Sequence, residues 1–114
     1  QGEGEEVEID LALVKQHYGE DVTEILSSFK DEIEAIMPII NKHLASGRLD
    51  SAAGAAHQLK GLVSVLALGE IEALADELCR EARSGSERQC GKIFARLNVK
   101  SRVLVNYINK LLSS

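Results

Sequence analysis

The sequence predicts an all-α fold, an antiparallel four-helix bundle with a short additional N-terminal helix. Three observations lead there. The chain holds one proline, two tyrosines, two phenylalanines and no tryptophan, and it is rich in Ala, Leu, Glu and Lys, which lose little side-chain freedom in a helix. Apolar residues recur at spacings of three and four along several long runs, the period of an amphipathic helix. Short breaks carrying Gly and Ser separate those runs. At 114 residues with 45% hydrophobic content, one domain around one continuous core is expected, placed here at residues 9–114.

Residues 1–8, QGEGEEVE, are acidic and glycine-containing without an apolar period, and read as the end of a linker. Asp10 is placed to cap a short docking helix that carries Leu11, Leu13 and Val14 and ends at Gly19. A long helix then starts at Asp21, with Glu24 three residues on as in a capping box. Its apolar residues are Val22, Ile25, Leu26, Phe29, Ile33, Ile36, Met37, Ile40 and Leu44. Pro38 lacks the N–H that would bond the Glu34 carbonyl, so a kink or a division into two helices is expected there. Gly47 stops the run.

The next helix spans Leu49 or Asp50 to about Leu66, with Leu49, Ala52, Ala53, Ala56, Leu59, Val63 and Leu66 facing the core. A turn near Gly69 leads to an amphipathic helix carrying Ile71, Leu74, Ala75, Leu78, Cys79 and Ala82, closed by Gly85. Ser86 and Gln89 make a second capping box. Ile93, Phe94, Leu97, Leu104, Tyr107, Ile108 and Leu111 carry the last helix to the C-terminus. Long amphipathic helices joined by short loops pack as an antiparallel bundle.

Charge and composition exclude several classes of function. The formal net charge is −5 and the 13 Lys and Arg are dispersed, whereas nucleic-acid affinity needs concentrated positive charge. No apolar run reaches the roughly 20 residues of a membrane span, so no direct membrane contact is expected. Cys79 and Cys90 are too few and too far apart for a disulfide framework or a Cys-x-x-Cys site. Cys79 lies on an apolar stripe, as a buried thiol does, and a cytoplasmic setting suits both. The Glu-x-x-His pairs of di-metal bundles are absent, so no metal site is expected. The run KDEIEAIM, Lys30 to Met37, alternates acidic residues with buried isoleucines and reads as a solvated face. His17 and His43 have no company that suggests chemistry.

The stretch GAAHQLKGLVS, Gly54 to Ser64, differs from the rest. On an α-helix Gly54, Lys60, Gly61 and Ser64 surround His57 on one surface. Two glycines within a helix cost about 1 kcal/mol each relative to Ala, a noticeable share of the roughly 5–15 kcal/mol that holds a domain together. They serve either close approach of a neighbouring helix, with His57 at the core edge, or a surface cleared so that a partner can reach the imidazole. In the second case Lys60 would serve an anion. A neutral imidazole nitrogen is a nucleophile near neutral pH, and an ammonium one turn away can stabilise charge on a phosphoryl group in transfer. The sequence carries no Gly-rich phosphate loop of its own.

The run AAHQLKGLVSVLALGEIEALADELCREA resembles the signature of the histidine-containing phosphotransfer (HPt) domains of phosphorelays. The family motif of His, an apolar residue two on, Lys three on and Gly four on is met by His57, Leu59, Lys60 and Gly61. Ser64 supplies the small residue seven after the His, and Ile71, Leu74 and Leu78 follow in the next helix. IDLALVKQHYGEDVTEILSSF and HLASGRLDSAAGAAH are similar to the family's lead-in, so the resemblance covers roughly residues 9 to 112. One departure is Ala67, where the family usually has glycine; Gly69 comes two residues later.

The resemblance implies that His57 accepts a phosphoryl group from an aspartyl-phosphate of a receiver domain and passes it to another receiver's Asp, with Lys60 as electrostatic support. Gly54, Gly61 and Ser64 would leave room for the receiver. Gln58, about 100° around the helix, would touch a partner only at the rim. No cofactor is expected in this domain, with Mg²⁺ belonging to the partner receiver. The chain would be the C-terminal module of a hybrid sensor histidine kinase, itself an inner-membrane protein, or a free-standing domain; a monomer is expected for the isolated bundle. The rival readings are a helical adaptor that binds partners without carrying phosphate, and a histidine kinase dimerisation domain, for which no ATP-binding domain is present in this sequence.

Overall fold

A computed structural model of the chain describes residues 11–19, 21–66 and 68–113. Its helices are α1 (Leu11–Tyr18), α2 (Val22–Ala45), α3 (Leu49–Ser64), α4 (Gly69–Ser84) and α5 (Glu87–Ser113). The acidic linker, the Asp10 cap and the Ala67 departure lie outside the described residues, as do the side chains of Leu11, Leu13 and His17. Each long helix packs on its neighbours around a ring, α2 on α3, α3 on α4, α4 on α5 and α5 back on α2, while α1 docks on α2. This is an all-α four-helix bundle with a short N-terminal helix, and the short connections make successive helices antiparallel.

The 3.6-residue periodicity places the core. Leu26, Phe29, Ile33, Ile36, Met37 and Ile40 of α2 are buried, as are Leu74, Leu78 and Cys79 of α4 and Ile93, Leu97, Leu104 and Ile108 of α5. On α3 the buried face is made of Ala52, Ala53, Ala55, Ala56, Leu59 and Val63. Val14 of α1 is fully buried against this core. Phe94, Tyr107 and Leu111, read as core residues, are partly buried and pack against its edge. Cys79 and Cys90 are both free and buried. Burial, with Glu81 and Glu87 nearby, pushes the Cys90 thiol above its ordinary range, which disfavours the reactive thiolate.

Two local expectations are corrected. Pro38 does not divide the second helix: α2 runs through it as one element of 24 residues. Buried Ile36, Met37 and Ile40 on both sides of Pro38 hold the helix together against a local cost of about 3 kcal/mol. Asp21 stands at the N-cap of α2 without a side-chain capping hydrogen bond, so the Asp21–Glu24 box does not form. The turn expected near Gly69 is present: the chain turns at Val65 and Leu66, and Gly69 is the first residue of α4. The α3–α4 connection is pinned by the buried Leu66 and Leu68.

The other loops use the expected chemistry. Gly47 and Gly85 adopt φ of 72° and 84°, the left-handed region in which only glycine is unstrained. After α4, the Gly85 amide donates to the Ala82 carbonyl at 3.2 Å and the Ser86 amide to that of Glu81 at 3.1 Å, closing the helix end. Ser86 then accepts from the Cys90 amide at 3.0 Å, which places it at the start of α5. Lys100 buries its stem and brings Nζ 3.2 Å from Glu70 Oε1, an ion pair not aligned as a hydrogen bond.

Leu59 is fully buried at the centre of α3. Leu59→Ala is expected to lower the unfolding free energy by about 2–5 kcal/mol, measured by urea denaturation, with the helical circular dichroism of the folded state retained.

Candidate functional site

Burying the alanine face of α3 leaves the opposite side of that helix in solvent. Gly54, His57, Gln58, Gly61 and Ser64 are all exposed. They share one surface because residues three and four apart stack on a helix. A Cβ built on Gly54 or on Gly61 meets nothing within 4 Å. The glycines therefore do not serve helix packing, and the surface around His57 is open. Ser64 keeps its hydroxyl close to the helix, donating to the Gly61 carbonyl at 2.9 Å.

Lys60 does not stand alone beside His57. Its Nζ donates to Asp76 Oδ1 of α4 at 3.0 Å, and Arg80 Nε, one turn further along α4, donates to Asp76 Oδ2 at 3.3 Å. The side chains of Lys60 and Asp76 are 35% and 40% exposed and that of Arg80 is 67% exposed, so this Lys–Asp–Arg row lies at the boundary between core and solvent. The Lys60 hydrogen bond, with its charge and that of Arg80, holds the Asp76 carboxyl below its ordinary range. Asp76 was not singled out in the sequence. Its i,i+4 spacing to Arg80 is visible there, but the pairing with Lys60 depends on the register of α3 against α4.

On the other flank of α3, Gln58 and Leu62 line a shallow hollow with Glu32, Ala35, Ile36 and Ile39 of α2. Ile39 is 47% exposed, unusual company for a charged surface. The acidic run of α2 is solvated as expected: Lys30 Nζ lies 3.3 Å from Asp31 and 3.4 Å from Glu34. His43 is half-buried near the end of α2, its Nδ1 accepting from Arg48 Nε at 3.4 Å. Among the described residues, no group of three or more His, Cys, Asp or Glu could hold a metal ion, and no helix is long and apolar enough to cross a membrane.

The protein is thus a four-helix bundle with a solvent-facing histidine, His57, midway along α3. The family model described as the Hpt domain matches residues 24–113, and the chain belongs to that family. No curated protein and no solved structure matches it. The Hpt domain is a phosphotransfer module of two-component phosphorelays, interacts with receiver domains and has no catalytic activity of its own.

Two outcomes follow from this geometry. Gly54→Ala and Gly61→Ala are each expected to raise stability by about 0.5–1 kcal/mol in urea unfolding, because a methyl group finds open space and improves helix propensity. Asp76, with its carboxyl depressed in the folded state, contributes stability above the ordinary Asp range that is lost as pH falls through the lowered folded value. Acid titration of Tm should therefore show a smaller decline for Asp76→Asn than for the wild type over that window.

Proposed function

We propose that His57 is the residue that carries the phosphoryl group in a phosphorelay, receiving it from the aspartyl-phosphate of one receiver domain and passing it to the Asp of another. The observation that carries this reading is the exposed imidazole of His57 between two helical glycines that face open space, in a chain of the Hpt family. In the forward step an imidazole nitrogen of His57 attacks phosphorus with its lone pair. The P–N bond forms as the P–O bond to the receiver's carboxylate breaks, and that carboxylate leaves with the electron pair. The reverse sequence loads the second receiver.

Phosphoryl transfer of this kind depends on positioning and on stabilising charge over the phosphoryl oxygens. Lys60 supplies the ammonium nearest along the helix, and the open surface at Gly54, Gly61 and Ser64 lets the receiver's loops come within bonding distance of the imidazole. Gln58 and the hollow around Ile39 and Leu62 form the rim against which a receiver would rest. This domain takes no cofactor, and Mg²⁺ acts from the receiver's acidic site, where it offsets phosphoryl charge. The domain works as a cytoplasmic monomer within residues 9–114, as a module of a hybrid sensor kinase or on its own.

The test is incubation with a phosphorylated receiver and Mg²⁺, wild type beside His57→Gln. Acid-labile phosphate is expected on the wild type and not on the variant. Equal labelling of both, or no labelling of the wild type by any receiver of its source organism, rejects the reading and leaves a helical adaptor. Gly61→Leu is expected to keep its helicity and to slow transfer at least tenfold, because the new side chain covers the approach to His57; an unchanged rate in stopped-flow transfer would remove the cleared-surface argument.

A further inference from the structure

The cation assigned to the phosphoryl group already has a partner. Lys60 Nζ is 3.0 Å from Asp76 Oδ1, and Asp76 is shared with Arg80 at 3.3 Å. Since α3 and α4 run antiparallel, stepping back from Lys60 to His57 and forward from Asp76 to Arg80 moves the same way along the bundle, by about 4.5 Å and about 6 Å at the rise of an α-helix. Arg80 thus stands level with the turn that bears His57. A phosphoryl group on His57 must compete with a carboxylate for Lys60, and Arg80 is at hand for that carboxylate when Lys60 leaves it.

We infer that Asp76 is a positioning residue that holds Lys60 beside His57 in the unphosphorylated protein and yields it to the phosphoryl group, Arg80 then neutralising Asp76. This rests on His57 being the phosphorylated residue. The arrangement sets how strongly the domain retains phosphate. With Lys60 bound to Asp76, formation of phosphohistidine carries the cost of parting that pair, which keeps the loaded and unloaded forms close in free energy. A module that passes a group in two directions needs such closeness. Arg80 lowers the cost by taking over the carboxylate.

The test uses potassium phosphoramidate as a small phosphodonor in an ammonium buffer. Its P–N bond breaks, ammonia departs and a P–N bond to His57 forms, so the phosphohistidine fraction read by ³¹P NMR reports the equilibrium without a receiver. Asp76→Asn is expected to shift that equilibrium about two- to fivefold toward phosphohistidine, and Arg80→Gln to shift it the other way. In a Lys60→Ala background the Asp76→Asn shift should vanish. A shift that persists without Lys60 means direct repulsion by Asp76 and overturns the role; so does an unchanged equilibrium, or an Arg80→Gln variant that gains phosphate.

A second readout stands apart from phosphorylation. The ¹³C carboxyl titration of Asp76 should fall below the ordinary Asp range in the wild type and return toward it in Lys60→Ala. An ordinary titration in the wild type means that the ion pair is absent and overturns the inference, whatever His57 does. A normal ion pair with no phosphohistidine resonance in the wild type rejects instead the phosphorylation of His57, and the role of Asp76 with it.

Discussion

Four alanines of α3, at positions 52, 53, 55 and 56, are buried together with Leu59 and Val63, and among the described residues α3 and α4 share the most extensive contact of any two helices. Small side chains let two backbones approach, and the apolar area removed from water stabilises the contact by about 25 cal/mol per Å². Everything at the candidate site depends on that contact. It fixes which side of α3 faces solvent, and so puts His57 outside. It also fixes the register that brings Lys60 against Asp76. An axial slip of about 1.5 Å between α3 and α4, the rise of one residue, would leave His57 outside, yet it would draw Lys60 of α3 away from Asp76 of α4.

Glycines in helices usually invite a packing explanation, and here the surroundings of the missing Cβ atoms decide against it. The same helix shows both solutions to the problem of close approach. On its buried face it uses alanine, which keeps helix propensity. Toward solvent it uses Gly54 and Gly61, which lower it. Within α3, where a small residue is needed only for packing, alanine suffices; the change to glycine occurs on the exposed side around His57.

The fold was legible because its signal is repeated. Nine apolar residues of α2 recur at helical spacing, and no single local feature outweighs that pattern; Pro38 lies within the helix for this reason. One local signal with less behind it was misread: the Asp21 box was inferred from residue types alone, and no side-chain cap forms there. At the site, the strip from Gly54 to Ser64 could be read because all of it lies on one helix. Asp76 and Arg80 could not, since they reach Lys60 from another helix, and sequence gives no direct measure of inter-helix register.

His57 lies between Ala56, which is fully buried, and Leu59, equally so, in the middle of a helix held by backbone hydrogen bonds in both directions. Its backbone is therefore already ordered before anything touches it. A group that approaches the imidazole orders side-chain rotamers at most, and the loss of about 1–2 kcal/mol per residue that accompanies fixing a loose backbone is absent from the encounter. Recognition at such a surface would need no folding of this domain, and a contact made there could form and part without any segment of α3 having to reorder.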